Sequence, residues 1–425
     1  MQTDNAFPVT KPDPFISLRF REFRAYIGMR FFLTFAYQVQ AVVIGWHIYQ
    51  LTKDPLSLGL IGLAEAIPSI AISLYGGYVA DKSDKKKLLV WIVGAMGFCS
   101  LILFLATTPQ ATSYLSQKIV IAIIYVMIFG IGVARGFYSP AAFSLMAQII
   151  PKEHYTNSST WNSGSWQTAS IIGPAAGGLL YGFFGVTSCF IVIVVFMLIS
   201  LSCVVFFVDN HPPHFVPKEN IYHSLSEGIR FVFKSRMLLG ALSLDLFSVF
   251  FGGAVALMPI FAHDILKVGS EGLGIMRAAP ALGAVLTMAF MVRYSPMAKP
   301  WRNLLFAVTG FGLSIIAFGL SQNFYLSLLF LFCEGAFDSI SVIIRSTILQ
   351  LLTPDEMRGR VSAVNSMFIG SSNEIGAFES GLTARLMGAI PSVVFGGSMT
   401  LLVVIITYLK TKRLIPLSLK QINPH

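Results

Sequence analysis

Eleven ionisable side chains fall inside long apolar stretches of this chain: Arg30, Glu65, Arg135, Asp245, Arg277, Glu334, Asp338, Arg345, Glu374, Glu379 and Arg385. An unpaired charge in hydrocarbon costs about 2.5–3.5 kcal/mol or more, so such residues either pair across helices or do chemistry. The chemistry open to them is narrow: taking up and releasing protons, and holding a charged or hydrogen-bonding solute. Catalysis is not indicated. The sequence has no metal-ligand cluster, phosphate loop, nucleophile elbow or haem-ligating histidine pair. Cys99, Cys189, Cys203 and Cys333 each stand alone in an apolar run, as small buried hydrophobes do, and His211-Pro212-Pro213-His214 reads as loop. No metal and no cofactor is expected.

The elements that position these groups follow from composition. The 425 residues are 55% hydrophobic and only 12% charged, with a mean hydropathy of +0.72. A soluble domain carries about a quarter of its residues charged, so lipid must face much of this surface. The formal charge of +10 does not point to nucleic acid, because the basic residues sit in short clusters between apolar runs. The N-terminus has Pro8, Pro12 and Pro14 and no short apolar core before a small-residue cleavage site, so no cleaved signal peptide is expected.

A crossing helix needs about 20 apolar residues. Twelve segments qualify: 25–50, 57–80, 88–107, 119–147, 160–183, 187–208, 237–263, 271–292, 303–321, 325–351, 360–386 and 391–410. The expected organisation is a tail 1–24, a six-helix bundle 25–208, a linker 209–236, a second bundle 237–410 and a tail 411–425. In the linker, Leu225, Ile229, Val232 and Phe233 make an apolar stripe beside Arg230 and Lys234, which predicts an amphipathic helix on the membrane surface. Lysine and arginine fall overwhelmingly on one side of the twelve spans, the other receiving Lys53, Lys118 and Lys267. The positive-inside rule then predicts both termini in the cytoplasm of a plasma (inner) membrane.

The halves repeat. Gln148-Ile149-Ile150-Pro151 recurs as Gln350-Leu351-Leu352-Thr353-Pro354, and Asn162-Ser163 as Asn365-Ser366. Gly173, Gly178 and Gly185 fall in register with Gly376, Gly381 and Gly388, and Ser57-Leu58-Gly59-Leu60 with Ser270-Glu271-Gly272-Leu273. Such parallel repetition is a mark of transporter folds.

Between spans two and three stands Gly77-Tyr78-Val79-Ala80-Asp81-Lys82-Ser83-Asp84-Lys85-Lys86-Lys87. Its glycine suits a close helix approach, and an acid at the membrane surface followed by cations suits a helix terminus. Span five carries Gly173-Pro174-Ala175-Ala176-Gly177-Gly178, where proline bends a membrane helix and glycines pack it tightly. The first stretch resembles the signature of the major facilitator superfamily, with Asp84 in place of its second glycine. The second is similar to the fifth-helix signature of proton-coupled exporters. Arg135 lies off the position of the exporters' span-four arginine, where this chain has Ile128. Four further stretches narrow the resemblance to the enterobactin-exporter and macrolide-efflux branch: Asp245-Leu246-Phe247-Ser248, Arg277-Ala278-Ala279-Pro280, Thr353-Pro354-Asp355-Glu356-Met357-Arg358-Gly359-Arg360 and Ser371-Ser372-Asn373-Glu374.

The resemblance implies an all-α membrane protein with the major facilitator fold, twelve helices in two six-helix bundles. It implies a secondary active transporter that exports a small amphipathic organic compound by alternating access, as a proton antiporter and a monomer. Its partners would be that substrate, protons and membrane lipids. A lysophospholipid or lipid flippase on the same fold is the alternative. Spans one, four, seven and ten would line the cavity. Asp338, Glu334, Asp245 and Glu374 then become proton-coupling candidates. Arg30, Phe31, Phe35, Tyr37, Gln38, Trp46, Phe137, Tyr138, Phe247 and Phe337 become cavity candidates, although aromatics also serve as ordinary helix packing. Gly77, Asp81, Lys82, Gly173, Pro174, Gly177 and Gly178 would serve conformational change. An outer gate is expected from pairing among Glu65, Arg277, Glu379 and Arg385, two acids and two bases at similar depth.

Overall fold

The computed structural model describes residues 13–210, 221–294, 296–354 and 357–416, and the regular structure among them is helical throughout. The first half supplies α1 (Arg21–Thr52), α2 (Pro55–Lys82), α3 (Lys85–Ala106) and α4 (Gln117–Ile149). The run Tyr155–Phe207 is broken at Gly185, whose φ is 76°, into α5 (155–184) and α6 (186–207). The second half supplies α7 (Arg236–Phe251, prolonged by Ala254–Ile260 and a π turn at Phe261–Ile265), α8 (Gly269–Arg293) and α9 (Pro300–Leu320). It ends with α10 (Phe324–Leu352), α11 (Arg358–Met387) and α12 (Ala389–Lys410).

By length and hydropathy alone, 10 helices among the described residues qualify to cross a membrane, against the twelve expected. The difference has two physical sources. Asn157–Phe207 counts once, yet its 51 residues bend at Gly185 and suffice for two crossings of about 20 residues. The helix α11 is 30 residues long but carries Arg358, Arg360, Glu374, Glu379 and Arg385, which dilute its hydropathy.

Packing repeats between the halves. In the first, α1 lies along α5 and α6 while α2 packs on α4; in the second, α7 lies along α11 and α12 while α8 packs on α10. The halves meet where α2 faces α11 and α5 faces α8. This seam is closed at the end carrying Lys53 and Lys267, here called the far end. An ideal Cβ on Gly178 would stand 2.5 Å from the backbone of Gly274 and Ser270, and one on Gly59 would stand 3.0 Å from Phe378. At the near end, which carries Pro14 and Lys410, no such close glycine contact joins the halves among the described residues. Gly77, Gly164 and Gly370 have nothing within 4 Å of a Cβ.

A side chain at Gly178 therefore has nowhere to go in this closed arrangement. Gly178→Val is expected to wedge the far end apart. In a cysteine-free background, oxidative cross-linking of Lys53→Cys to His263→Cys should fall several-fold when that change is added. An unaltered yield would show that the seam has slack the packing does not reveal.

The linker helix Ile221–Lys234 is present, but it does not lie wholly on the membrane surface. Val232 is buried with Leu242, Val361 and Val364, so one face docks on the second bundle, while Ile229, Arg230, Phe233 and Lys234 remain exposed. Residues 211–220, which include His211 and His214, lie outside the described residues.

Candidate functional site

Three clusters of polar groups are built into the apolar interior. The first is made by α1, α2 and α4. A Cβ on Gly132 would clash with the Glu65 carbonyl and with Pro68, so α4 approaches α2 more closely than any other residue type permits. Arg135, one turn further on, thereby reaches Glu65, and the two form an ion pair. The Tyr37 hydroxyl donates to Glu65 Oε1 at 2.8 Å, Arg135 lies 2.8 Å from that hydroxyl, and its guanidinium stacks 4.7 Å from the Tyr37 ring centre. Glu65 is thus a buried, twice-partnered carboxylate within the first half.

The second cluster lies among α7, α9 and α10. Asp245 and Arg345 are both buried and form an ion pair. Asp245 and Asp338 line one small cavity with Ser248, Val249, Val308, Phe311 and Ser341. Glu334, one turn from Asp338, has Oε2 buried with no hydrogen-bond partner, and neither carboxyl takes part in an ion pair among the described residues. These expected acids are therefore not equivalent: Asp245 is held by Arg345, while Asp338 and Glu334 carry no counter-ion. The Glu374 side chain lies outside the described residues.

The third cluster latches the far end across the seam. Tyr49 donates to Asp264, Lys53 Nζ lies 2.8 Å from His263 Nε2, and His263 Nδ1 lies 2.5 Å from Asp264 Oδ1. Lysine can only donate, so Nε2 accepts and Nδ1 is left to donate to the aspartate. Trp46 packs on His263 with ring centres 5.6 Å apart, and Asp54 pairs with Arg385 at 3.6 Å.

This corrects the expected outer gate. No pair forms among Glu65, Arg277, Glu379 and Arg385: Glu65 is taken by Arg135, Arg385 by Asp54, Arg277 has a buried Nε without a partner, and Glu379 makes no ion pair among the described residues. Depth along a helix says nothing about azimuth, which is why the grouping failed. Tyr49, Asp54, His263 and Asp264 were missed because they sit at span ends rather than inside them. The one local signal was Asp54 before Pro55, a helix cap whose side chain accepts from Leu56 N at 3.1 Å.

The aromatic candidates divide. Tyr138 and Tyr26 both interact with Arg30, whose Nε is buried without a hydrogen-bond partner, and Phe31 stacks on Phe35. Phe35 itself is buried against Phe196 of α6, Phe137 packs on Tyr75, and Phe337 fills the space over Gly310 beside Phe306. Each of those three packs against a neighbouring helix. Gln38 lies against Gly173, and Phe247 is exposed.

The conformational motifs have distinct duties. Gly173 and Gly177 seat α5 on Gln38 and Val39 of α1, while Gly178 turns to α8, with Pro174 between the two contacts. In the loop motif the close approach belongs to Gly76, which packs on Gly136, and not to Gly77. Lys82 donates to the Tyr78 hydroxyl and stands over its ring, and the Asp81 side chain lies outside the described residues. Asp84 caps α3, accepting from Lys87 N at 3.1 Å, which explains an aspartate where the resembling motif has glycine.

A family model described as transmembrane secretion effector matches residues 13–420, nearly the whole chain. The chain belongs to the transmembrane secretion effector family. It is a multi-pass membrane transporter of the major facilitator type, not an enzyme. Among curated relatives, the enterobactin exporter EntS of Shigella flexneri is 24% identical over 379 residues, 88% of each chain. EntS of Escherichia coli O81 (strain ED1a) is 23% identical over 385 residues, again 88% of each. The fold is shared with a bacterial homolog of the human lysosomal transporter Spinster, solved inward-facing and unoccupied (TM-score 0.73, 14% identity, 96% of this chain and 98% of that one). It is also shared with a POT family transporter in complex with 5-aminolevulinic acid (TM-score 0.71, 12% identity, 93% and 96%).

Proposed function

We propose that this transporter exports a small amphipathic organic compound by alternating access, in exchange for protons. It works as a monomer in the plasma membrane with both termini cytoplasmic. The observation that carries this reading is the pair Asp338 and Glu334: two carboxyls one turn apart on a cavity helix, without a counter-ion among the described residues, beneath a latched far end. A carboxyl so placed is neutral when its surroundings are dry and gives up its proton when water or a charged solute arrives. That supplies the differential interaction an alternating-access cycle requires. Asp245, held by Arg345, supports the helix geometry and does not exchange protons itself. On the distribution of Lys and Arg the near end is the cytoplasmic one, and the latched far end then faces outward. That the EntS relatives are enterobactin exporters favours a siderophore-like or drug-like cargo.

The test is uptake into inverted vesicles with and without an imposed pH gradient, using an enterobactin-like catechol compound. Gradient-dependent accumulation supports the reading. Accumulation of a labelled lysophospholipid instead, indifferent to the gradient, replaces it with the flippase alternative. Topology is checked separately: Ser113→Cys and Lys267→Cys are expected to react with an impermeant maleimide from outside intact cells, and Lys86→Cys and Lys299→Cys only after lysis. The reverse pattern inverts the protein.

A further inference from the structure

Two aspartates from different helices border one small cavity, Asp245 of α7 and Asp338 of α10, and Arg345 of α10 is paired with the first. Arg345 stands seven residues after Asp338, two turns at about 100° per residue, so both leave the same face of α10. Helical side chains lean toward the N-terminus, which carries the long guanidinium of Arg345 in the direction of Asp338. Ser341 lies between them on that face and also borders the cavity.

Ser341 is buried, yet its hydroxyl makes no hydrogen bond among the described residues. Neighbouring serines do: Ser248, Ser339 and Ser346 each donate to a carbonyl of their own helix. A buried hydroxyl left open on the path from Arg345 to Asp338 calls for a polar group to reach it. No other described cation is placed to serve Asp338. From α9 only Val308 and Phe311 reach the cavity, Arg277 of α8 lies in the field of Tyr37 in the first half, and Glu334 is itself an acid. Arg345 is too deeply buried to turn to water, so a guanidinium leaving Asp245 finds one other described carboxyl at its cavity, Asp338.

We propose that Asp245 is a positioning residue that restrains Arg345, and that Arg345 is a counter-ion on which the two aspartates draw in turn. While Asp338 carries its proton, Arg345 stays on Asp245 and the cavity is electrically balanced. When Asp338 loses its proton the cavity gains a negative charge, and the guanidinium moves along α10 past Ser341 to lie between the two carboxylates. Its planar fork has donors enough for both. The move changes how α7 and α10 are tied, and so turns a proton into a displacement of helices. This rests on the proton-exchange reading above and names the residue that transmits it.

Infrared difference spectroscopy of the full-length chain in proteoliposomes at neutral pH tests this, read at the stretching band of protonated carboxyl groups. Asp245, ionised against Arg345, contributes nothing to that band. Asp338→Asn is expected to remove one component of it. Asp245→Asn should remove the same component with Asp338 intact, because the released guanidinium settles on Asp338 and draws out its proton. Asp245→Glu should keep the component, and so should Asp245→Asn/Arg345→Gln, in which no cation remains to draw on it. Thermal unfolding in detergent gives a second reading. Asp338→Asn should lower Tm little in the native background and several-fold more in the Asp245→Asn background, where Asp338 has become the partner of a buried arginine. A component that survives in Asp245→Asn, or equal Tm losses in the two backgrounds, overturns the proposal and leaves Asp338 a proton site. A native band without an Asp338 component removes the proton reading and this restraint together.

Discussion

Asp338→Asn is expected to reduce gradient-driven transport to the level of protein-free vesicles while substrate binding and downhill exchange survive. The amide keeps the size of the carboxyl but removes the exchangeable proton and the charge. A variant that still binds and exchanges has its fold, its seam and its cavity; what it lacks is the group whose protonation differs between the two faces. Glu334→Gln should produce a weaker version of the same loss, because Glu334 lies a turn away and only Asp338 borders the cavity shared with Asp245. Measuring pH-gradient-driven uptake and isotope exchange in one proteoliposome preparation separates the two activities. Undiminished gradient-driven uptake by Asp338→Asn removes proton coupling from α10.

Arg345→Leu is expected to be the most damaging single change to stability. It leaves Asp245 buried with no cation, and breaking a buried pair from one side costs about 3–5 kcal/mol. Replacing both partners with apolar residues of similar size is far milder, since neither charge then needs compensation. Thermal unfolding in detergent, followed by exposure of the buried Cys99 and Cys189, should show a large fall in Tm for Arg345→Leu. Recovery is expected in the double variant Asp245→Leu/Arg345→Leu. Equal instability of single and double variants would mean that the pair contributes packing and little electrostatics.

The transmembrane plan was legible because hydrocarbon imposes a coarse rule on composition, and runs such as 88–107 obey it whatever their neighbours. Even α11, too polar for a hydropathy criterion, was recoverable from Gly376, Gly381 and Gly388 repeating Gly173, Gly178 and Gly185. Partnership between side chains was not legible. Arg135 and Glu65 are seventy positions apart in sequence, and the contact that joins them depends on how α4 is rotated at Gly132. Rotation also decides that Gly76 rather than Gly77 meets a neighbour and that Phe337 faces α9. A helix turns by about 100° per residue, so an error of one position sends a side chain to another face.

Gly185 and Gly388 have φ values of 76° and 93°, a region that suits glycine, and each joins two membrane helices with no intervening loop. Without slack, α5 with α6 and α11 with α12 behave as stiff hairpins, so a displacement at the seam is carried to the outer limb. The outer limbs present Ile191, Val195 and Leu198 on α6 and Leu402, Ile405 and Ile406 on α12 to their surroundings. Bilayer thickness therefore becomes a mechanical load on the transport cycle: lipids whose acyl chains mismatch these limbs by a few ångströms press on the seam through two levers hinged at single glycines.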